Sequence, residues 1–258
     1  MKKQQEVSIK EYRTNPLQPV RVVELEETDS TNRVAKELAA EGAPEGTLVV
    51  AKRQSGGRGR LGRSFFSPEG GIYMSMVLRP AILAEKAILI TTCAAVAVAR
   101  AIESICKESA GIKWVNDIFI KNKKVCGILA EGELLPGTDR FSHVVLGIGI
   151  NVKRQAVPEE LKGIVGCLEE YIDHTILNEE LITAVWREFF SFYDTLSTAV
   201  YMEEYKARSV LLGKEVTVYT ADGEYKAVVT DIDKEGRLGI KRGDTEEYLC
   251  SGEISVRL

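Results

Sequence analysis

Between Ile82 and Cys106 the chain is apolar and rich in alanine. Such a stretch predicts a long buried helix, because an apolar surface on most sides has to be covered. A length of 258 residues allows one large domain, or one plus a small one, to supply that cover. Charges interrupt the stretch, so no continuous apolar run approaches the roughly 18 residues of a membrane span. The start of the chain, Met1 to Glu6, lacks the apolar core of a signal peptide.

Elements can be placed on either side of this helix. Residues through Pro19 are polar and read as an arm or loose helix. Val20 to Leu25 reads as a strand. Thr28-Asp29-Ser30-Thr31-Asn32 is rich in helix N-cap types, and Val34, Ala35, Leu38 and Ala39 then share a helical face that Gly42 ends. Thr47 to Ala51 predicts a strand. Alternation of Ile72, Met74, Met76 and Leu78 with Tyr73, Ser75 and Val77 predicts another, buried on at least one side. Ile118 to Ile120, a lysine-rich turn and Val125 to Glu131 predict a hairpin. Val144 to Ile150 is a further strand, and Glu179 to Leu196 has helical spacing. After Arg208 the texture becomes short β pieces with turns at Asp222-Gly223 and Glu235-Gly236. That predicts a small all-β barrel of about five strands. The chain divides into an arm (1–19), a main unit (20–208) and the β unit (209–258).

The net charge of −4 argues against a broad nucleic-acid surface. Cys93, Cys106, Cys126, Cys167 and Cys250 are scattered, with no CxxC pair and only two histidines. They do not make a thiolate metal site, and they read as mostly buried free thiols in a reducing cytoplasm.

Gln54 to Arg63 therefore stands out as a local cationic feature, with three arginines and four glycines in ten residues. Glycine lets the backbone turn freely and approach a ligand, and guanidinium forks match phosphate or carboxylate oxygens. The run lacks the Gly-Lys-[Ser/Thr] of a phosphate-binding P-loop. A single copy without aromatics is also poor evidence for RNA contact. Taken alone, the other polar clusters have bland readings: Ser30 to Asn32 as a cap, Asn116-Asp117 as a turn, Lys121 to Lys124 as a charged turn, and Asn151 as a strand end.

Their order along the chain removes that neutrality. Asp29 to Asn32, Gln54 to Arg63, Lys113-Trp114-Val115-Asn116-Asp117-Ile118, Lys123 to Leu129 and Gly147 to Val152 together resemble the motifs of biotin–protein ligases, and Gly252-Glu253-Ile254-Ser255 resembles the family's ending. The resemblance runs from about Val22 to the C-terminus. It implies an α+β fold: a mixed β-sheet with helices, of the class II aminoacyl-tRNA synthetase and biotin ligase kind, followed by an SH3-like barrel. It implies that biotin and ATP give biotinyl-5′-AMP, and that a lysine of a biotin carboxyl carrier domain then takes the biotin.

The resemblance also assigns roles. Ser30, Thr31, Asn32, Gln54, Gly57, Arg58, Gly59, Arg60, Lys124 and Gly127 would bind biotin. Arg58, Arg60, Arg63, Phe65, Lys113, Asn116, Lys124 and Asn151 would bind the nucleotide. Lys124, Arg60, Asp117 and Lys113 would carry catalysis, with Mg²⁺ on the phosphates as is usual in phosphoryl chemistry. The arginine loop would be disordered when empty and order over the adenylate. Two departures stand out: Val115 replaces a usual proline, and Phe65 replaces a tryptophan that packs on adenine. A lipoate or octanoate ligase is the enzymatic alternative, but lipoate lacks the cyclic urea that Ser30, Thr31, Asn32 and Gln54 suit. A non-enzymatic biotin-binding module would not need the cations. About two dozen residues before the catalytic region are too few for a helix-turn-helix, so no repressor role, nucleic-acid partner or membrane partner is expected. An apolar edge strand is compatible with a homodimer.

Overall fold

The alanine-rich stretch is a helix at the centre of an α+β fold. The computed structural model describes residues 7–15, 18–220, 223–250 and 255–257. In chain order the elements are β1 (Val7–Asn15), β2 (Gln18–Thr28), α1 (Thr31–Ala40), β3 (Leu48–Gln54), β4 (Ile72–Leu78), α2 (Ile88–Ile105), β5 (Gly111–Lys113), β6 (Asp117–Ile120), β7 (Lys123–Leu134), β8 (Phe141–Ile150), α3 (Asn178–Tyr193) and α4 (Met202–Ala207). The β-rich end adds β9 (Glu215–Thr220), β10 (Gly223–Ile232), β11 (Leu238–Arg242), β12 (Thr245–Leu249) and β13 (Ser255–Arg257).

Eight strands form one sheet in the order β1-β2-β3-β4-β8-β7-β6-β5. Only β2 and β3 run parallel, which makes the sheet mixed. Both faces are covered, and the alternation along β4 shows how. Ile72, Met74, Met76 and Leu78 enter the large core beneath α2 and α3. Val77 joins a smaller core with Val23, Leu25, Ala35, Ala39, Val49, Ala51 and Val145 under α1. Every residue of β4 is buried as a result, so the strand is covered on both faces.

One expectation needs correction and another needs a qualification of length. Val7–Asn15 is a strand paired with β2, not an arm or loose helix. A strand bonded along its length satisfies backbone groups that a polar arm would leave to water. Ala84–Ile105 is also long and apolar enough to cross a membrane by length and composition, although the window is 67% buried inside the fold. Arginine and glutamate are good helix formers, and the two in its C-terminal half also have partners. Arg100 and Glu103 meet Glu204 and Arg208.

That ion cluster ties α2 to α4. Glu204 is held below the usual carboxylate range first by Arg100, then by Arg208. At Glu103 burial opposes ionisation, but Arg208 and the Ala110 N–H outweigh it. Both folded values lie below the ordinary 4.5. Their stabilisation is therefore present above about that pH and is lost as pH falls through the lowered values. Arg208→Met should lower urea-unfolding stability by roughly 1–3 kcal/mol at neutral pH, because two part-buried carboxylates lose a partner. The deficit should shrink below pH 4.

The C-terminal strands form an antiparallel sheet in the order β12-β11-β10-β9-β13. That matches the expected small β unit of about five strands, although among the described residues no pairing joins β12 to β13 to close a barrel. The turn at Asp222 and the Gly252-Glu253-Ile254 ending lie outside the described residues. This sheet is docked against the main one: the Trp114 indole N–H donates to Gly236 O (2.9 Å), and Lys206 pairs with Asp231.

Candidate active site

The cavity lies on the α1 face of the large sheet, where strand alternation brings small residues into line. Gly127 on β7 and Gly147 and Gly149 on β8 point to this face. A Cβ on Gly147 would fall 2.1 Å from Asn32 Oδ1, and one on Gly149 would fall 2.5 Å from the Phe65 ring. A Cβ on Gly127 would meet the same ring at 2.9 Å. The three glycines are thus a floor whose missing side chains make room for Asn32 and Phe65.

Lys124 shares this face only because β7 is irregular. In an even strand, Lys124 and Gly127 would point to opposite faces. The pairing with β6 shifts register between Ile118↔Cys126 and Phe119↔Lys124. The extra residue is Val125, which is buried in the core beside Cys126. A bulge of this kind re-aims the side chain before it. Lys124 Nζ then stands 5.7 Å from the Phe65 ring centroid and 2.7 Å from Asp117 Oδ1. The ammonium is not aligned for a hydrogen bond to that buried oxygen, so the pair is held by charge. Lys113 pairs with Asp117 across the β5–β6 register.

At the other end of the cavity the polar residues bond to one another. Gln54 Oε1 accepts from the Thr31 backbone N–H (2.8 Å) and the Thr31 hydroxyl (3.1 Å). Gln54 Nε2 donates to Ser67 Oγ at 3.0 Å. The Ser75 hydroxyl, wholly buried on β4, lies 2.6 Å from Asn32 Oδ1 and 2.8 Å from Thr31 Oγ1. Asn32 Nδ2 donates to Glu131 Oε2 at 2.7 Å, and Lys36 Nζ to Glu131 Oε1 at 2.5 Å. Burial opposes ionisation of Glu131, but Lys36 and Asn32 outweigh it and hold the carboxyl below its usual range. Ser30 occupies the N-cap position without a side-chain cap bond, and its residue lines the cavity. Asp29 instead accepts from Arg33 and from the Ser30 N–H, with Arg33 first in drawing its pKa down to about 2.

The arginine run folds back on itself over the cavity. Gly59 N–H donates to Arg63 O (2.7 Å), and Phe65 N–H to Gly57 O (2.9 Å). Leu61 takes a positive φ of 55° and is half exposed at the tip. Arg60 points inward, 3.3 Å from Asn116 Oδ1. Burial is the largest influence on it and pulls its guanidinium below the usual value, against the attraction of Asp117. A cation stripped of water beside one carboxylate is suited to a second anion.

The main cavity is lined by Ser30, Thr31, Asn32, Gln54, Arg58, Gly59, Arg60, Arg63, Phe65, Lys113, Asn116, Asp117, Lys124 and Gly127. Two of the expected residues lie elsewhere. Gly57 lines neither cavity; a Cβ there would lie 2.3 Å from Phe65 O, so its bareness serves the loop's own packing. Asn151 lines a second cavity that shares Phe65, Lys113, Asp117 and Lys124 with the first. Its side-chain amide donates to Gly166 O at 3.2 Å. Phe65 lies between the two cavities, edge-on to Tyr73 at 6.5 Å. Lys153, Arg154 and Lys162 line the second cavity too. Sequence reasoning missed Ser75, Glu131 and Lys36. A serine at the centre of an otherwise apolar strand was the one available signal.

The described residues contain no group of three or more His, Cys, Asp or Glu suited to a metal. The carboxylates lining the cavities, Asp117 and Glu170, each pair with a lysine. They do not form a cage for Mg²⁺, which commonly binds through one or two carboxylates together with substrate phosphates.

Residues 24–151 match the model of the biotin/lipoate A/B protein ligase family, and residues 211–257 match the biotin protein ligase C-terminal domain. The bifunctional ligase/repressor BirA of Bacillus subtilis is 36% identical over 234 residues, which cover 88% of this chain and 71% of that protein. The chain belongs to the biotin protein ligase family. A biotin–[acetyl-CoA-carboxylase] ligase of Paracoccus denitrificans is 32% identical over 89% of this chain and 98% of its own length. The Aquifex aeolicus biotin protein ligase in complex with biotin and ATP superposes with a TM-score of 0.74 at 29% identity, covering 92% of this chain and 98% of that one. Family membership fits the architecture above: a mixed sheet carrying the cavity, then a small antiparallel sheet.

Proposed function

We propose that this chain is an ATP-dependent biotin–protein ligase with residues 20–208 as its catalytic unit. It joins biotin to ATP, then passes biotin to a lysine of a biotin carboxyl carrier domain. The observation that carries this reading is the meeting of two chemistries in one cavity. Thr31, Asn32 and Gln54 offer donors and acceptors suited to a cyclic urea, and Arg60, Lys124 and Asp117 stand at the other end.

In the first step a biotin carboxylate oxygen attacks the α-phosphorus. The bond to the bridging oxygen breaks and pyrophosphate leaves. Lys124 and Arg60 offset the repulsion between the two anions, and the sheet holds them in place beforehand. In the second step an acceptor amine attacks the acyl carbon and AMP leaves. Asp117, beside Lys124 at the cavity wall, orients that amine. Mg²⁺ would supply further charge neutralisation on the phosphates, beside Arg60, Lys113 and Lys124, rather than occupy a cage of protein carboxylates. Arg58, Arg63, Lys113, Asn116 and Phe65 surround the nucleotide, and Asn151 holds the wall of the adjoining cavity.

ATP–pyrophosphate exchange tests the reading with biotin, lipoate or no acid. Exchange with biotin alone supports it, and exchange with lipoate alone replaces it by a lipoate ligase. Part of the proposal is that the arginine loop closes over the adenylate and shields the anhydride from water. Trypsin should then cut at Arg58, Arg60 or Arg63 roughly tenfold more slowly with biotin plus ATP present. Equal rates would remove the closing role. The reading places the protein in the cytoplasm and includes no repressor role, in line with its net charge of −4. Salt-sensitive operator binding by this chain would overturn that last point.

A further inference from the structure

We propose that Glu131 is a positioning residue that fixes which way the Asn32 amide and the Ser75 hydroxyl point at the urea end of the cavity. This rests on the biotin reading above. Glu131 lies outside the cavity lining and acts through Asn32. A carboxylate can only accept hydrogen bonds. With Lys36 on Oε1, the remaining oxygen obliges Asn32 to turn its nitrogen toward Glu131. Asn32 Oδ1 then faces Ser75, which gives it its only proton across 2.6 Å.

The order passes on from there. Once its proton is committed, Ser75 can only accept from Thr31 Oγ1, 2.8 Å away. The Thr31 proton therefore points into the network, toward Ser75 or Gln54, and leaves the hydroxyl with acceptor capacity. Gln54 Oε1 is taken by Thr31, so its amide nitrogen keeps one N–H beyond the bond to Ser67. Asn32 keeps one as well. Two anchors thus assign the groups at the cavity end: acceptor-only Glu131 turns Asn32 and, through it, Ser75, while the donor-only Thr31 backbone N–H turns Gln54. Ser75 is fully buried, so water cannot readily replace a lost link. The remaining N–H groups of Gln54 and Asn32 suit a ligand C=O, and the Thr31 hydroxyl oxygen suits a ligand N–H.

Glu131→Gln removes the obligation, because a glutamine amide can turn either end toward Asn32. Lys36→Met removes the neighbouring charge but leaves an acceptor-only carboxylate. Equilibrium binding to the full chain should be measured for biotin and for 2-iminobiotin, in which an N–H group replaces the urea oxygen. In Glu131→Gln the preference for biotin should fall roughly tenfold, the scale of one misdirected buried hydrogen bond. ATP affinity should stay unchanged, and Lys36→Met should keep the preference within about threefold, since its acceptor remains. Should Glu131→Gln fail to fold, Ser75→Ala cuts the same chain one link further on and should also lower the preference. Equal weakening of both ligands, or no change, overturns the proposal. Failure of the unmodified chain to bind biotin would instead sink the functional reading beneath it.

Discussion

Lys124→Ala is expected to slow biotin-dependent ATP–pyrophosphate exchange by 100-fold or more, roughly 3 kcal/mol on the scale of one lost electrostatic contact at a reacting anion. The geometry gives the reason. Lys124 is the lysine that the β7 bulge turns onto the cavity face, and it lines both cavities, 2.7 Å from Asp117. Its removal takes the nearest cation from that part-buried carboxylate, at the place where a second carboxylate has to enter. Lys121→Ala is the control. That lysine sits in the exposed hairpin turn and pairs with Glu108, with 62% of its side chain exposed. Its loss should change exchange by less than about threefold, as an exposed ion pair contributes little. Similar rates for the two variants would remove Lys124 from the mechanism.

Gly147→Ala should weaken biotin binding by roughly 30- to 150-fold, which is about 2–3 kcal/mol for a buried polar group forced out of its bonds. The new methyl would fall 2.1 Å from Asn32 Oδ1 and push the amide off both Ser75 and Glu131. Gly149→Ala sits two residues on and strikes a different neighbour, the Phe65 ring at 2.5 Å. It should raise the KM for ATP more than that for biotin, because Phe65 lies between the two cavities. Titration of both ligands against both variants separates the effects. A Gly147→Ala protein with unchanged biotin affinity would show that the Asn32 network is not part of the urea site.

The two glycines also show what could be read in advance. Gly147-Ile148-Gly149-Ile150 alternates with period two, so strand geometry alone puts both glycines on one face and both isoleucines on the other. Ile148 and Ile150 are in the large core as that pattern requires. Local patterning likewise gave α2, the β6–β7 hairpin, and α1 ending at a glycine with φ of 88°. These depend on neighbours a few residues apart, whose spacing the chain itself displays. The polar N-terminal segment carries no such signal, because a strand at a sheet edge takes its identity from the strand beside it.

The sequence determined which chemical groups exist and which elements carry them: an arginine-rich loop, a lysine turn, capping residues before a helix, and an apolar helix to build around. Tertiary structure decided where those groups face. Lys124 and Gly127 are three residues apart, and a regular strand would have put them on opposite faces. The bulge at Val125 reverses this, and its cause is pairing between β6 and β7, which spacing does not encode. Glu131 and Lys36, 95 residues apart, had no visible link to Asn32, because a hydrogen bond is set by distance in space. Periodicity is local and can be counted along the chain. Register shifts and buried polar networks come into being only when distant strands meet.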